Sequence, residues 1–339
     1  QGIKNTLDAG IEVVIYDGVR SEPTDVSFKA AIRFASEGDF DGYVAVGGGS
    51  TMDTAKVANL YTTYPADFMA YINAPIGEGR IVPGPLKPLI AIPTTAGSGS
   101  EVTFSAVVTD SREHFKFSIK DPKIAPRVAL VDPEMTLSMP AALTAATGMD
   151  ALTHAIEAYT AKAAEPLSDA VALHAVELIT THLRAAVSDG QNIAARSGML
   201  LGSLLAAIAF SHSDVAAVHC IAEALGGQYD LPHGVCNAVT LPAIMAYNLN
   251  YCVDRYARIG LAMGLGDSRV ESRARQAVAE VKKLAADIHL PEFRQLGIKE
   301  SDFEKLANDS AANGSNRDNP RPMERDDYFN VLMELNEAA

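Results

Sequence analysis

The chain has 339 residues, with 28 basic and 42 acidic side chains, and its formal net charge is therefore −14 at neutral pH. Such an excess of negative charge repels nucleic acids and anionic membrane surfaces, so neither is an expected partner. The length and the 48% share of apolar residues are sufficient for two domains with their own cores. The cysteines Cys220, Cys236 and Cys252 are too few for a disulfide framework and indicate a reducing compartment such as the cytoplasm.

The first 140 residues alternate short runs of β-forming residues with helical stretches, a pattern typical of a parallel sheet with crossover helices. The predicted strands are 13–16, 43–46, 89–92 and 128–131. A loop rich in proline and glycine, 73–88, separates the second strand from the third. These residues are therefore predicted to form an α/β domain.

After residue 140 the strand pattern ends, and alanine- and leucine-rich segments with a helical period continue towards the end of the chain. The predicted helices are 150–161, 167–187, 193–210 and 272–288. The most apolar run, 198–210, is too short to cross a bilayer and should be a buried helix. The sequence thus predicts an α/β domain at 1–140 and an all-helical domain at 141–339, with ligands binding in the cleft between them.

A glycine-rich turn follows the predicted strand 43–46. Gly47, Gly48 and Gly49 come directly after that strand, and 50–59 then reads as a helix. The backbone N–H groups of such a turn approach a phosphate closely, and the helix N-terminus adds a partial positive charge. A second loop, after strand 89–92, offers the hydroxyl groups of Thr94, Thr95 and Ser98. Both loops are candidates for holding a dinucleotide, although a tight turn that serves only the fold is the alternative for each.

A possible metal site is indicated by the spacing of one aspartate and three histidines. Asp150 and His154 are four residues apart and so share one face of a helix. His219 and His233 follow fourteen residues apart, the latter in a Pro-His-Gly loop. A lone helical histidine is more often a structural residue, but one carboxylate and three imidazoles together suit a divalent transition metal, Fe or Zn.

In combination, these segments resemble the iron-containing (group III) alcohol dehydrogenases over nearly the whole chain. The matching motifs are GGGSTMDTAK, IPTTAGSGSEVT, VDPEMTLSMPAALTAATGMDALTHAIEAY, VHCIAEALGG and LPHGVCNAV. The resemblance implies NAD or NADP as the cofactor, with contacts from Gly48, Gly49, Ser50, Asp53, Thr94, Thr95, Ser98 and Lys116. It also implies a divalent metal, Fe²⁺ before Zn²⁺, held by Asp150, His154, His219 and His233. A homo-oligomer, a dimer or larger, is expected.

Two departures from the family pattern matter. Glu223 lies four residues after His219, where many relatives carry a histidine. It is a tentative catalytic residue, either a proton relay or a fixed anion that orients a metal ligand, and the alternative is a solvated surface glutamate. The resemblance also implies a first strand and helix ahead of Gln1, and the end of that strand helps to choose between NAD and NADP. The choice of cofactor therefore stays open.

The predicted activity is metal-dependent hydride transfer between a nicotinamide cofactor and a small alcohol or aldehyde, or a hydroxy acid or semialdehyde. One rival is a metal-dependent lyase of the dehydroquinate synthase type, which needs a dense basic cluster that the metal motifs lack. The segment YINAPIGEGRIV resembles hydroxyacid–oxoacid transhydrogenases, a second rival. A binding protein that has lost turnover is a third. A serine hydrolase is disfavoured because no G-x-S-x-G elbow is present.

Overall fold

The computed structural model describes residues 10–266 and 269–337. The elements of the first half are α1 (Asp25–Ser36), β1 (Tyr43–Gly47), α2 (Gly49–Thr63), β2 (Leu89–Pro93), β3 (Ser105–Thr109), β4 (Lys116–Lys120) and β5 (Val128–Ala129). Strands β1, β2 and β5 form a parallel sheet in that spatial order, and β3 and β4 form a separate antiparallel hairpin. The predicted parallel α/β arrangement and three of the four predicted strands are confirmed.

The register of the sheet places the two candidate cofactor loops side by side. Gly47 at the end of β1 is level with Pro93 at the end of β2. Because parallel strands end at the same edge of a sheet, the turn after β1 and the loop after β2 lie next to each other. The backbone N–H of Thr94 donates to the carbonyl of Gly47 (2.9 Å), which fixes the second loop against the first.

The predicted strand 13–16 is wrong. These residues are irregular, and Val14 and Ile15 are half exposed. A strand is stable only where a neighbour pairs with its backbone, and residues 10–20 have no strand partner in the described part of the chain.

The β3–β4 hairpin was not predicted, although its sequence carries the expected alternation. Buried and partly exposed residues alternate along both strands, so one face packs inward. Asp110 starts the connecting turn, where its Oδ1 accepts from the backbone N–H groups of Arg112 (2.8 Å) and Glu113 (2.9 Å). An Asx turn between two alternating runs is the signal that would have found the hairpin.

The second half is helical, as predicted. Its α-helices are α3 (Ala141–Thr160), α4 (Pro166–Ser188), α5 (Ile193–Ser213), α6 (Ala217–Tyr229), α7 (His233–Asn248), α8 (Val253–Ala262), α9 (Val270–Asp287), α10 (Phe303–Ala312) and α11 (Arg325–Glu337). Short 3₁₀ turns occur at Pro122–Ile124, Pro133–Thr136, Leu249–Tyr251, Phe293–Leu296, Glu300–Asp302 and Gly314–Asp318.

Helix α3 is the central helix of this half. It packs against α4, α5 and α7, and nearly every residue from Thr144 to its end is buried. Its sequence is rich in alanine, and small side chains let neighbouring helices approach on all sides. The helix begins well before the predicted start at residue 150. Asp150 and His154 therefore lie within a rigid, fully packed helix.

Helices α4 and α5 have the length and hydropathy that a membrane span would need. They pack extensively against each other and against α3, and their residues Ile179, Leu183 and Met199 belong to the core. The core helices of globular proteins can have the same length and composition. The absence of a membrane partner remains a prediction.

Each half has its own hydrophobic core. Phe28, Ile72 and Ile119 belong to a cluster in the first half, whereas the largest cluster is built from α3 to α11. Among the described residues of the first half, only Ala96, in the loop after β2, is one of the buried residues of this large cluster. The loop therefore reaches from the sheet to the helical half. A domain boundary at 140/141 stays our proposal, and this separation of cores supports it.

Candidate metal centre and cofactor loops

Four predicted metal ligands from three helices lie together in the structure. Helix α3 supplies Asp150 and His154, α6 supplies His219 and α7 supplies His233. One ligand atom from each residue lies within 4.8 Å of the others. The first three residues are buried and His233 is partly exposed, so the group is accessible to solvent at His233. His233 is the first residue of α7 rather than part of a loop, which corrects the prediction.

Glu157 fixes one of these histidines, and the sequence analysis missed it. The Nδ1–H of His219 donates to Oε2 of Glu157 (2.6 Å). The same carboxylate accepts backbone N–H groups from Ala216 (2.9 Å) and Val218 (2.7 Å), and it is buried. With Nδ1 protonated, Nε2 of His219 keeps its lone pair and faces the group of ligands. Glu157 lies seven residues after Asp150, two turns along α3, and that spacing was the available signal.

The protonation states of the group fit a cation. Burial alone would raise the pKa of Asp150, but the three histidines and the Asn237 amide outweigh burial and lower it. Burial lowers the pKa of His154 to about 3 and also lowers the pKa of His233. Burial alone would lower the pKa of His219, but the Glu157 carboxylate outweighs burial and raises that pKa, which makes the ring more basic. A carboxylate and two imidazoles with lowered pKa values are donors that a divalent metal binds.

The glycine turn opens α2 without a side-chain cap. Gly48 is the N-cap residue, and it has no side chain with which to satisfy the first N–H groups of the helix. A Cβ atom added at Gly49 would lie 2.7 Å from Oγ of Ser98, and one added at Gly48 would lie 3.3 Å from Oγ1 of Thr95. The turn thus brings backbone N–H groups that have no side-chain cap and two hydroxyls to one place. That arrangement fits a phosphate group.

Asp53, also predicted to contact the cofactor, is engaged within the protein. Its Oδ1 accepts from Oγ of Ser100 (2.6 Å), and its Oδ2 accepts from the backbone N–H of Val107 (3.0 Å). Lys56, one turn later, donates to Ser100 Oγ (2.7 Å) and to the Ser105 carbonyl (2.9 Å). Burial raises the pKa of Asp53 and lowers that of Lys56 to about 8. This buried network ties α2 to the second loop and to β3, and a direct cofactor contact by Asp53 remains a prediction.

The second loop connects the glycine turn to the metal centre. A Cβ atom at Gly97 would lie 2.7 Å from Cβ of Thr147, which precedes Asp150 by about one turn of α3. Gly99 has φ +60°, and a Cβ atom there would lie 2.0 Å from Cβ of Ala207 in α5. Only glycine fits this positive φ together with so close an approach of the loop to the helix. The second loop therefore contacts both the glycine turn and the helix that carries Asp150 and His154.

Lys116 lies at the start of β4. Its Nζ forms an ion pair with Glu22, and Oε1 of Glu22 accepts from the backbone N–H of His233 (3.4 Å). Burial alone would raise the pKa of Glu22, but Lys116 and His233 stabilise its negative charge and lower that pKa. The lysine also packs against Gly226 of α6. The predicted cofactor contact of Lys116 remains a prediction, and the contact observed is the pair with Glu22.

Glu223 lies on α6 one turn after His219, as the spacing predicts. It is partly buried, and its Oε2 accepts from Nδ2 of Asn313 (2.6 Å). The Asn313 side chain in turn accepts from the backbone N–H of Ser315 (3.0 Å), and Ser315 Oγ bonds Oδ1 of Asp214 (3.2 Å). The negative charge of Glu223 contributes to the raised pKa of His219. Glu223 is therefore held by a network at the edge of the centre, and its catalytic role remains a prediction.

Comparison with known proteins identifies the same family in both halves. A family model for "Iron-containing alcohol dehydrogenase" matches residues 1–133, and one for "Fe-containing alcohol dehydrogenase family, C-terminal" matches residues 144–335. These matches agree with the division of the structure into a sheet-containing half and a helical half.

Individual relatives are similar over most of their length. A 1,3-propanediol dehydrogenase from Klebsiella pneumoniae is 42% identical, with 93% of this chain and 81% of that protein aligned. A mitochondrial hydroxyacid-oxoacid transhydrogenase from Mus musculus is 36% identical, with shares of 88% and 72%. A crystal structure of a 1,3-propanediol oxidoreductase superposes with a TM-score of 0.91 at 39% identity, over 96% of this chain and 85% of that one. The chain belongs to the iron-containing alcohol dehydrogenase family of oxidoreductases.

Proposed function

We propose that this dehydrogenase transfers hydride between a nicotinamide dinucleotide and a small, uncharged alcohol or its aldehyde. The observation that carries the proposal is the convergence of Asp150, His154, His219 and His233 within 4.8 Å. This group lies beside a loop that also touches the glycine turn. One cleft then contains a place for a cation and a place for a dinucleotide phosphate. Fe²⁺ is the proposed metal, with Zn²⁺ as the alternative.

A bound divalent metal would act there as a Lewis acid on the oxygen of the alcohol or aldehyde, while a nicotinamide would accept or give the hydride. The residues of the chain supply position and charge. The α2 N-terminus and the hydroxyls of Thr95 and Ser98 orient the dinucleotide. Glu157 keeps the lone pair of His219 directed at the centre, and the packed α3 holds Asp150 and His154. The burial of the ligands excludes water from one side.

The charges near the centre favour an uncharged substrate. A carboxylate or phosphate substrate needs a cationic side chain that is free to bind it. The two lysines of β4 are already paired, Lys116 with Glu22 and Lys120 with Asp214 (3.4 Å). Glu223 adds a further negative charge on the network that holds Asp214. This pattern argues against a hydroxy acid, and it also argues against the phosphorylated substrate of a lyase.

Absorbance at 340 nm distinguishes the candidate activities. The purified protein would be mixed with Fe²⁺ or Zn²⁺, NAD⁺ or NADP⁺, and a panel of alcohols, diols and hydroxy acids. Net formation of NADH or NADPH in proportion to the aldehyde produced identifies the dehydrogenase. A reaction that needs an added oxo acid and forms no net NADH identifies a transhydrogenase. Absence of turnover with every pair would overturn the proposal and leave a binding protein.

Replacing Glu223 by glutamine should change the selectivity for substrate charge. We expect kcat/KM for 3-hydroxypropanoate to rise relative to that for 1,3-propanediol, because a repelling carboxylate is removed. For a charge several ångströms away in a partly solvated cleft the effect is about 1 kcal/mol, or roughly fivefold. The two substrates match in length and differ in one end group. Steady-state kinetics of both would give the ratio directly.

Glu37 is a suitable control for this change, because it is an exposed glutamate at the end of α1. Glu37→Gln should leave the ratio unchanged. An unchanged ratio in Glu223→Gln would show that this carboxylate does not face the substrate. The reading of Glu223 as a surface residue would then be correct.

A further inference from the structure

Asn237 lies at the middle of the ligand group, although the sequence analysis assigned it no role. Its Nδ2 is 2.6 Å from Oδ1 of Asp150, 3.2 Å from Nε2 of His219 and 3.1 Å from Nε2 of His233. The side chain has no exposed surface. One amide nitrogen therefore touches three of the four candidate ligands.

The chemistry of these neighbours fixes the orientation of the amide. Asp150 offers a carboxylate oxygen, which only accepts. In the neutral His219 ring, Nδ1–H donates to Glu157 and Nε2 accepts as well. Every neighbour whose role is determined is thus an acceptor, and the NH₂ group, not the oxygen, must face the centre. The shortest of the contacts joins the amide to the charged carboxylate, and hydrogen bonds to ionised groups are the stronger class.

The other end of the amide shows that packing alone does not explain this residue. Oδ1 of Asn237 is buried and has no hydrogen-bond partner among the described residues. A buried polar atom without a partner destabilises a fold, and an apolar side chain of the same size would avoid that penalty. An asparagine at this position is therefore expected to have a role at the ligand group.

We propose that Asn237 is a positioning residue of the metal centre, which holds Asp150 in the orientation that the cation requires. Helix α7 carries His233 in its first turn and Asn237 one turn later, so one rigid helix sets both a ligand and the group that orients another ligand. When a cation takes the lone pairs of the two imidazoles, the amide keeps its bond to Oδ1 of Asp150. The other carboxylate oxygen is then presented to the cation. The proposal rests on the proposed metal site but not on the identity of the substrate.

The test is the affinity of the protein for a metal, measured without reference to turnover. Zn²⁺ and Co²⁺ would be titrated into metal-free protein in competition with a chromophoric chelator. Asn237→Leu keeps the size of the side chain and removes the donor, and we expect it to weaken binding about 10- to 100-fold, as loss of a group that orients a ligand does. The visible absorption of bound Co²⁺ should also change, because its bands report the ligand geometry.

Asn248→Leu is the matched control. Asn248 is a buried asparagine on the same helix, and its amide bonds Asn319 (2.9 Å) rather than a candidate ligand. This control should keep the affinity and the Co²⁺ spectrum of the parent. If Asn237→Leu does not fold, Asn237→Ser, which is smaller and too short to reach Asp150, gives the same comparison.

An affinity in a folded Asn237 variant that is equal to or tighter than that of the parent overturns the proposal, because the amide would then compete with the cation. A parent that binds no divalent metal overturns both this proposal and the proposed metal site. A parent with normal metal affinity but no turnover on any alcohol counts against the proposed function alone. Weakened binding with an altered Co²⁺ spectrum would then still support the role of Asn237.

Discussion

His154→Ala is expected to abolish most of the activity and most of the bound metal. His154 is buried on α3, and its ring stacks between the rings of Phe210 (centroids 4.5 Å apart) and His219 (4.6 Å). Burial lowers its pKa to about 3, so the ring is neutral at physiological pH. Alanine would remove one of four ligands without introducing a replacement donor.

The loss of turnover should be large because Lewis-acid stabilisation is worth several kcal/mol. A loss of about 3 kcal/mol corresponds to a rate on the order of 100-fold lower. Metal content by mass spectrometry and the steady-state rate should fall together. His174→Ala is the control, since His174 is an exposed histidine that pairs with Glu177 (3.3 Å). If His154→Ala kept full metal occupancy and the parental rate, the four-ligand site would be wrong.

Glu157→Gln is expected to have the second-largest effect, and to act on both metal binding and stability. The Glu157 carboxylate accepts three hydrogen bonds, from Ala216, Val218 and His219. A glutamine has the same shape, but it places an NH₂ group against at least one of these donors. His219 then loses the charge that makes its ring basic and fixes its protonated nitrogen.

Glu157→Gln should lower both the metal affinity and the free energy of unfolding. Metal affinity should fall about 10- to 100-fold. The free energy of unfolding of the metal-free protein should fall by about 1–3 kcal/mol, because at least one buried N–H donor loses its acceptor. Glu101→Gln is a matched control, because Glu101 is also a buried glutamate but touches none of the candidate ligands. Unchanged metal affinity in Glu157→Gln would show that Glu157 supports only the fold.

Much of the site could be predicted from sequence because its parts lie on regular elements. Asp150 and His154 are four residues apart on one helix, and helical geometry alone places them together. The turn after β1 could be read from a short β-run followed by three glycines. The contact of α3, α6 and α7 at the ligand group depends on packing between segments that are far apart in the sequence. That part of the prediction came from the donor types of the four residues together, and the resemblance to a family agreed with it.

Residues that act through another residue could not be found in this way. Glu157 and Asn237 lie in segments that match the family, but their contacts join atoms from distant parts of the chain and could not be read from the local sequence. Asp53 shows the converse, since its motif predicts a cofactor contact while its oxygens bond Ser100 and Val107. The wrong strand at 13–16 has a similar cause. Its composition favours β-structure, but a strand also needs a neighbour, which composition does not reveal.

The central claim is that the metal held by Asp150, His154, His219 and His233 is required for hydride transfer. It is tested most directly by adding Fe²⁺ stepwise, without oxygen, to metal-free protein while NADH formation from an alcohol is followed at 340 nm. We expect a rate that rises with bound metal and stops rising at about one ion per chain, as a single four-ligand site requires. The same titration of His154→Ala should stay near the baseline. A metal-free protein that forms NADH at the full rate, or a His154→Ala protein that follows the parental curve, would contradict it.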